Sequence, residues 1–316
     1  MRILVMGAGA MGTIAGGFMA KAGHEVTLIG RQSHMEAIAQ AGLRISGIWG
    51  EHHVQNLRTL ESVEGLEAGG FDFVLIAVKS YDTARAVQDI LPLVVKDTLV
   101  CAYQNGLGNA EIIAKAVGWE RCVGARTIYG ARVTEPGAAV VTVIANPTAL
   151  GVYHGSVEAD RVRTIAEAMN EAGMPTVYSD RINTVLWAKV AYNCALNPLS
   201  ALLDVPYGAL GETESTREII KEVIEELYAV GAAMEIPLEP DTPDAYKQLF
   251  FDELLPPTAA HYASMREDFQ RRRRTEIDAL NGAIVRYAEV QGIPCPTNTM
   301  LTRLVRAREY ALMGRT

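Results

Sequence analysis

Apolar positions follow two different rhythms along the chain. In the first 180 residues, short unbroken apolar runs alternate with helix-period segments. Ile3-Leu4-Val5-Met6 stops at Gly7, Val26-Thr27-Leu28-Ile29 stops at Gly30, and Phe73-Val74-Leu75-Ile76-Ala77-Val78 has no polar position. Such runs predict strands covered on both faces, the pattern of a parallel sheet, and residues 43–48 and 98–103 predict two more. Helices are predicted from the glycines after Met6 to Ala22, over 34–41, and over 81–91, where Pro92 ends the last. This β-α-β order predicts an α/β domain built on a parallel sheet.

Residues 123–153 turn to Val, Thr, Tyr and Ile. Gly130, Glu135-Pro136-Gly137 and Asn146-Pro147 act there as turn signals, predicting antiparallel strands that finish the sheet. A helix over 158–172 and a strand at 176–178 close the domain near residue 180. Beyond it apolar residues recur at spacings of three and four, predicting helices over 182–196, 216–234, 244–254, 276–291 and 300–312. In the second of these Ile220, Val223, Ile224 and Leu227 face inward and Glu222, Glu225 and Glu226 outward, and Pro237 follows its end. The expected organisation is an α/β domain, residues 1–180, and an all-helical domain, residues 181–316.

Composition narrows the classes. With 316 residues, 49% of them hydrophobic, the chain can bury two cores, which excludes disordered and collagen-like readings. A net charge of −8 argues against a general nucleic-acid binder, which needs a basic face. Cys101, Cys122, Cys194 and Cys295 are widely spaced, and the adjacent His52 and His53 would face opposite sides of a strand, so neither a disulfide framework nor a metal site is expected. Residues 3–20 carry no charge and could pass for a signal peptide, but their five glycines suit a tight turn better than a membrane helix. The reading is a soluble, cytoplasmic protein without a membrane partner.

Gly7-Ala8-Gly9-Ala10-Met11-Gly12 is a G-x-G-x-x-G motif between a predicted strand and a predicted helix. In that context the first glycine permits the tight turn, the second admits a pyrophosphate against the backbone, and the third lets helix and strand pack closely. The α/β domain is therefore expected to be a Rossmann-type dinucleotide-binding domain. About 20 residues on, an NAD site places an acid on the ribose 2′-hydroxyl; here stands Ile29-Gly30-Arg31-Gln32-Ser33. Arg31 suits a 2′-phosphate, which favours NADP(H). Two loops, Val78-Lys79-Ser80 and Gln104-Asn105-Gly106, follow buried strands at the edge where open α/β sheets bind ligands, although each could be ordinary turn chemistry.

In the helical half, Lys189, Asn193 and Asn197 are spaced i, i+4, i+8 within an otherwise apolar segment, hence on one helix face. A lysine desolvated there has its pKa lowered toward general-acid values, and two amides beside it can bind a carboxylate or hydroxyls. Glu276 is placed by the same period beside Leu280 and Ile284, bordering the core. Arg271 to Arg274, next to Glu267, Asp268 and Glu276, read as a salt-bridged helix face rather than a nucleic-acid site.

Together Gly7–Gly12, Gln104-Asn105-Gly106, Trp187-Ala188-Lys189, Asn193, Asn197-Pro198-Leu199, Ser264, Thr275-Glu276-Ile277-Asp278 and Asn281-Gly282 resemble the ketopantoate reductase family, in order and over nearly the whole chain. The resemblance implies NADPH-dependent reduction of 2-dehydropantoate to pantoate, on the route to pantothenate and coenzyme A. It implies Lys189 as proton donor to the C2 ketone oxygen. Asn105, Asn193, Asn197 and Ser264 would hold the substrate's carboxylate and hydroxyl. Glu276 would engage the substrate hydroxyl near the nicotinamide ribose, Lys79 and Asn105 would line the cofactor, and Ala131 would touch it through its backbone. One departure is Pro206-Tyr207-Gly208, where the family often has Pro-Asn-Gly. It leaves open a reductase of another 2-oxo acid. A non-catalytic NADP(H)-binding sensor is the rival of a different class, disfavoured by the presence of both Lys189 and Glu276. Apolar helix faces leave room for a homodimer.

Overall fold

The computed structural model describes residues 1–153 and 158–314. They divide into two compact units, Met1–Ile182 and Asn183–Thr316.

The first unit is a mixed α/β domain. Its strands are β1 (Arg2–Met6), β2 (Glu25–Ile29), β3 (Leu43–Gly47), β4 (His52–Val54), β5 (Leu57–Leu60), β6 (Phe73–Ile76), β7 (Leu99–Ala102), β8 (Cys122–Glu135), β9 (Ala138–Val152) and β10 (Thr176–Tyr178). Its helices are α1 (Ala10–Lys21), α2 (Gln32–Ala41), α3 (Thr83–Ile90), α4 (Asn109–Val117) and α5 (Ala159–Glu171). One sheet holds all ten strands in the order β4-β3-β9-β8-β7-β6-β1-β2-β5, with β10 beside β9. The stretch from β5 through β2, β1, β6 and β7 to β8 is parallel, and β8–β9 is an antiparallel hairpin.

The unbroken apolar runs arise because helices cover both faces. Ile3, Val5, Phe73 and Leu75 pack with Ile14 and Phe18 of α1 and Val162 and Ile165 of α5. Leu4, Val74, Ile76 and Val100, pointing the other way, pack with Val87 and Ile90 of α3 and Ile113 and Val117 of α4. Burying a side chain of this size contributes about 1.5–3 kcal/mol, so the loops at the sheet edge leave a well-packed core.

Two turn signals do not end strands. Gly130 and Asn146-Pro147 lie inside β8 and β9, at irregularities of the ladder. Between the pairs Arg126↔Ala149 and Ile128↔Asn146, β9 advances by one residue more than β8, and Pro147, which has no N–H to give the ladder, falls in that bulge. The short polar strands β4 and β5 and the helix α4 have no strong periodicity and were not expected. His52 and His53 lie on β4, bonded to the carbonyls of Trp49 and Ala41.

The second unit is all-helical: α6 (Ile182–Leu203), α7 (Tyr207–Leu210), α8 (Glu214–Ala233), α9 (Pro243–Leu249), α10 (Ser264–Gln270), α11 (Asn281–Gln291) and α12 (Pro296–Met313). Three expected boundaries move. α6 runs on through Pro198, α9 gives way to a π-helical turn at Phe250–Leu254, and α11 begins only at Asn281. Leu280, at φ −104° and ψ −111°, interrupts the helical path, so Glu276 sits on a turn ahead of α11 rather than on its face. Glu226 is not a solvated residue of α8. It accepts from the Thr297 and Asn298 backbone N–H groups at 2.7 and 2.9 Å, capping the start of α12. The arginine run is salt-bridged, Arg271 to Glu267, Arg273 to Asp268 and Arg274 to Asp278, but it follows the end of α10 rather than forming a helix face.

Among the described residues no helix is long and apolar enough to cross a membrane, and no three His, Cys, Asp or Glu side chains are grouped to hold a metal. All four cysteines are buried and free.

Candidate active site

The glycine loop joins β1 to α1. Gly7, at φ +109°, turns the chain so that the Gly7 and Ala8 N–H groups donate to Ile29 O at 3.1 and 2.7 Å. A Cβ at Gly12 would lie 2.3 Å from Gly7 O and 2.9 Å from Val5 Cγ1, so helix and strand touch there. A Cβ at Gly9 would meet nothing within 4 Å. Gly9 caps α1 without a side-chain acceptor, and no acid stands in the first turn. The loop thus leaves open space beside Gly9 at the start of α1, which fits a pyrophosphate.

Arg31 is the N-cap of α2 and is exposed. A Cβ on the preceding Gly30 would touch Ala8 Cβ at 2.9 Å, so Arg31 leaves the sheet directly beside the glycine loop. Gln32 is already engaged, donating to Glu36 at 3.0 Å. Buried His34 ties three parts of this end together. Its Nδ1 accepts from the Gly137 N–H at 3.0 Å, and its Nε2 lies 3.1 Å from Thr13 Oγ1. An accepting Nδ1 requires a neutral ring with the proton on Nε2. Burial, with the Arg31 charge second, lowers the His34 pKa from 6.5. The folded state therefore binds fewer protons than the unfolded one at acid pH, and this stability is complete above about pH 6.5 and lost as pH falls below it. His24 shifts the same way, so the check is a comparison: between about pH 7.5 and 5.5 wild type should lose more thermal stability than His34→Gln. Equal losses would remove His34 from this role.

Lys79 and Asn105 follow β6 and β7, and both are half-buried. A buried network unites their loops. Gln104 Nε2 donates to Val78 O at 2.8 Å and to Thr83 Oγ1 at 2.7 Å. Thr83 Oγ1 lies 2.8 Å from both Ser80 O and Asn109 Oδ1, and Asn109 Nδ2 donates to Asn105 O at 3.1 Å. The Thr83–Asn109 pairing is not legible in the sequence because it depends on the adjacency of β6 and β7. Ala131 lies on β8 just past a bulge, paired with Val141. Along the sheet edge the order is thus Arg31 at β2, the glycines at β1, Lys79 at β6 and Asn105 at β7.

In the second unit α6 presents Lys189, Asn193 and Asn197 on one face while Trp187, Val190, Cys194 and Leu196 are buried around it. Lys189 and Asn193 are half-buried and Asn197 is buried. Tyr207, the residue that departs from the family pattern, is buried on α7 and donates from its hydroxyl to Asn197 Oδ1 at 2.6 Å. With one lone pair of its oxygen taken by Tyr207, Asn197 keeps both N–H donors for a ligand, the polarity a carboxylate needs. Ser264 is exposed at the start of α10. The backbone before it is tied to α6, Ala263 N–H donating to Ser200 Oγ at 3.3 Å.

The turn carrying Glu276 is clamped from both sides. Thr275 N–H and Oγ1 donate to Glu309 Oε1 at 2.6 and 2.5 Å. Asn281 Nδ2 donates to Cys194 O at 3.1 Å. That carbonyl is available because its helical partner would be residue 198, and proline has no N–H. Asn281 therefore fastens the Glu276 turn to α6 between Asn193 and Asn197. Half-buried Glu276 itself caps the short 3₁₀ turn Ile277–Ala279.

Two family models match in tandem. Residues 3–155 match the ketopantoate reductase PanE/ApbA model, and residues 181–309 match its C-terminal model. The chain is 37% identical over 309 residues to the 2-dehydropantoate 2-reductase of Aquifex aeolicus (strain VF5), covering 98% of this chain and 97% of that one. It is similar in structure to a PanE/ApbA family ketopantoate reductase from Ralstonia eutropha JMP134, with a TM-score of 0.87, 33% identity, and 99% and 100% of the two chains covered. A D-mandelate dehydrogenase, solved as a ternary structure with NADH and anilino(oxo)acetate, is as similar in fold, with a TM-score of 0.87, 30% identity and 99% of each chain covered.

Proposed function

Because the chain belongs to the ketopantoate reductase PanE/ApbA family of oxidoreductases, we propose that it reduces 2-dehydropantoate to pantoate with NADPH. The observation that carries this reading is the polar face of α6. A lysine and two asparagines stand there among buried apolar neighbours, with Asn197 held in donor orientation by Tyr207. The cofactor would lie on Gly7 to Gly12, with Arg31 on its 2′-phosphate and Lys79, Asn105 and the Ala131 backbone along it; when bound it supplies a hydride to C2. As negative charge gathers on the ketone oxygen, the Lys189 ammonium stabilises it and passes it a proton, so ketone, hydride and proton balance to a secondary alcohol. Asn193, Asn197 and Ser264 hold the carboxylate and hydroxyl, and Glu276 engages the hydroxyl. The product would feed pantothenate and coenzyme A formation in the cytoplasm, where NADPH is supplied.

A second reading has one specific observation in its favour. Tyr207 brings a buried aromatic ring to the bond with Asn197, and a relative that acts on mandelate shares the fold. Under that reading the substrate is an aryl or branched 2-oxo acid. The deciding experiment follows oxidation of NADPH and of NADH with 2-dehydropantoate and a panel of branched and aryl 2-oxo acids. The expected result is the highest kcat/KM with 2-dehydropantoate and NADPH. A different acid leading by more than about tenfold, some 1.4 kcal/mol, moves the assignment to that acid.

A further inference from the structure

Arg126 is a further cation at the C-terminal edge of the sheet. It lies on β8, two residues past the last β7–β8 pair, Ala102↔Gly124, and so at the level of the loop that carries Gln104 and Asn105. Strand alternation puts it on the same face as Cys122, over the core shared with α3 and α4. Its Nε and Nη1 are buried and meet no acceptor among the described residues. Burial alone lowers its pKa, with no carboxylate offsetting the effect. Guanidinium does not shed its proton in a protein, so the charge stays, half-buried and, among the described residues, without a counter-ion. An orphaned buried donor set of this kind needs an explanation, and its planar fork matches a carboxylate in two-pronged geometry.

Its place along the edge indicates which anion. The strand order β2-β1-β6-β7-β8 sets Arg31, the glycine loop, Lys79 and Asn105 in sequence, with Arg126 last. Strands are spaced about 4.8 Å apart, so β8 stands roughly 14 Å from β1, on the side away from Arg31. With the 2′-phosphate at β2 and the pyrophosphate at β1, the nicotinamide end points toward β7, and a reducible substrate belongs just beyond it. We propose that Arg126 binds the carboxylate of the 2-oxo acid as a cationic anchor. This rests on the reductase reading and on the cofactor direction set by Arg31.

The test uses oxamate, a non-reducible 2-oxo-acid mimic, titrated calorimetrically into the full chain saturated with NADP⁺, so that no turnover is needed. Arg126→Gln should weaken oxamate about 100-fold, the loss expected when one partner of a buried charge pair is removed. Arg126→Lys should recover part of that loss, and NADP⁺ affinity should hold in both. Because Arg126 Nε and Nη1 meet no acceptor among the described residues, Arg126→Met should have an unchanged or higher melting temperature. Four results overturn the proposal: wild type that does not bind oxamate, Arg126→Gln within threefold of wild type, a parallel loss of NADP⁺ affinity, which would assign the cation to the cofactor, or a lower melting temperature in Arg126→Met. The substrate reading fails separately, if oxamate binding depends on Arg126 while 2-dehydropantoate is not reduced.

Discussion

Replacing Lys189 with alanine should lower kcat by about 10²- to 10⁴-fold, the range for loss of a positioned proton donor, while NADPH binds as before. The argument starts from α6. Its other faces are filled by Trp187, Val190, Cys194 and Leu196, so the lysine cannot turn away into the core, and Asn193 and Asn197 hold the same face as it. The alanine removes both a charge and a proton, and Lys189→Arg separates the two. Arginine keeps the charge but does not deprotonate at accessible pH, so its kcat should stay close to that of the alanine variant. Single-turnover NADPH oxidation checks this. Turnover within threefold of wild type in Lys189→Ala would remove the residue from proton transfer, and a nearly normal Lys189→Arg would show that charge alone suffices.

The second large effect is a contrast between two glycines three residues apart. Gly9→Ala should leave the melting temperature in place, since its Cβ meets nothing within 4 Å and its φ of −79° suits alanine. It should still weaken NADPH on the order of 10²-fold, because a methyl group there holds the pyrophosphate off the backbone. Losing one or two charge-assisted bonds of about 1.5–3 kcal/mol each accounts for that factor. Gly12→Ala should do the reverse first. Its Cβ would sit 2.3 Å from Gly7 O, so α1 must move off β1. Overpacking of this kind costs about 1–3 kcal/mol, at about 2–4 °C per kcal/mol for a unit of this size. Thermal melts paired with NADPH titration check both variants. A destabilised Gly9→Ala, or a Gly12→Ala that melts like wild type, would mean that the two glycines do not divide the work in this way.

What could be read in the sequence was whatever a local period encodes. Buried parallel strands announce themselves by unbroken apolar runs, and the polar face of α6 by residues four apart. The clamps could not be read. Thr83 meets Asn109 across 26 residues, Thr275 meets Glu309 across 34, and Asn281 meets Cys194 across 87. Each depends on strand order or helix packing that no local pattern specifies. Glu276 shows the same limit from the other side. Its spacing from Leu280 and Ile284 is helical, yet the helix starts after it, because the backbone at Leu280 leaves the helical region. Arg126 is not legible because a polar residue on a strand is ordinary, and what sets it apart is that its Nε and Nη1 meet no acceptor among the described residues.

Pro198 also gives α6 a fixed address. Elsewhere along such a helix each interior carbonyl already holds the N–H four residues on, so a neighbouring element could slide by a turn, about 5.4 Å, and find much the same surface. At Cys194 one carbonyl stands vacant and Asn281 fills it. A shift of α11 along α6 would lose that bond and find no second vacancy of the same origin. The height of Glu276 relative to Lys189 is thereby indexed by the absence of a single hydrogen. Two side chains remote in sequence are thereby tied to one another through a single directional bond between α11 and α6.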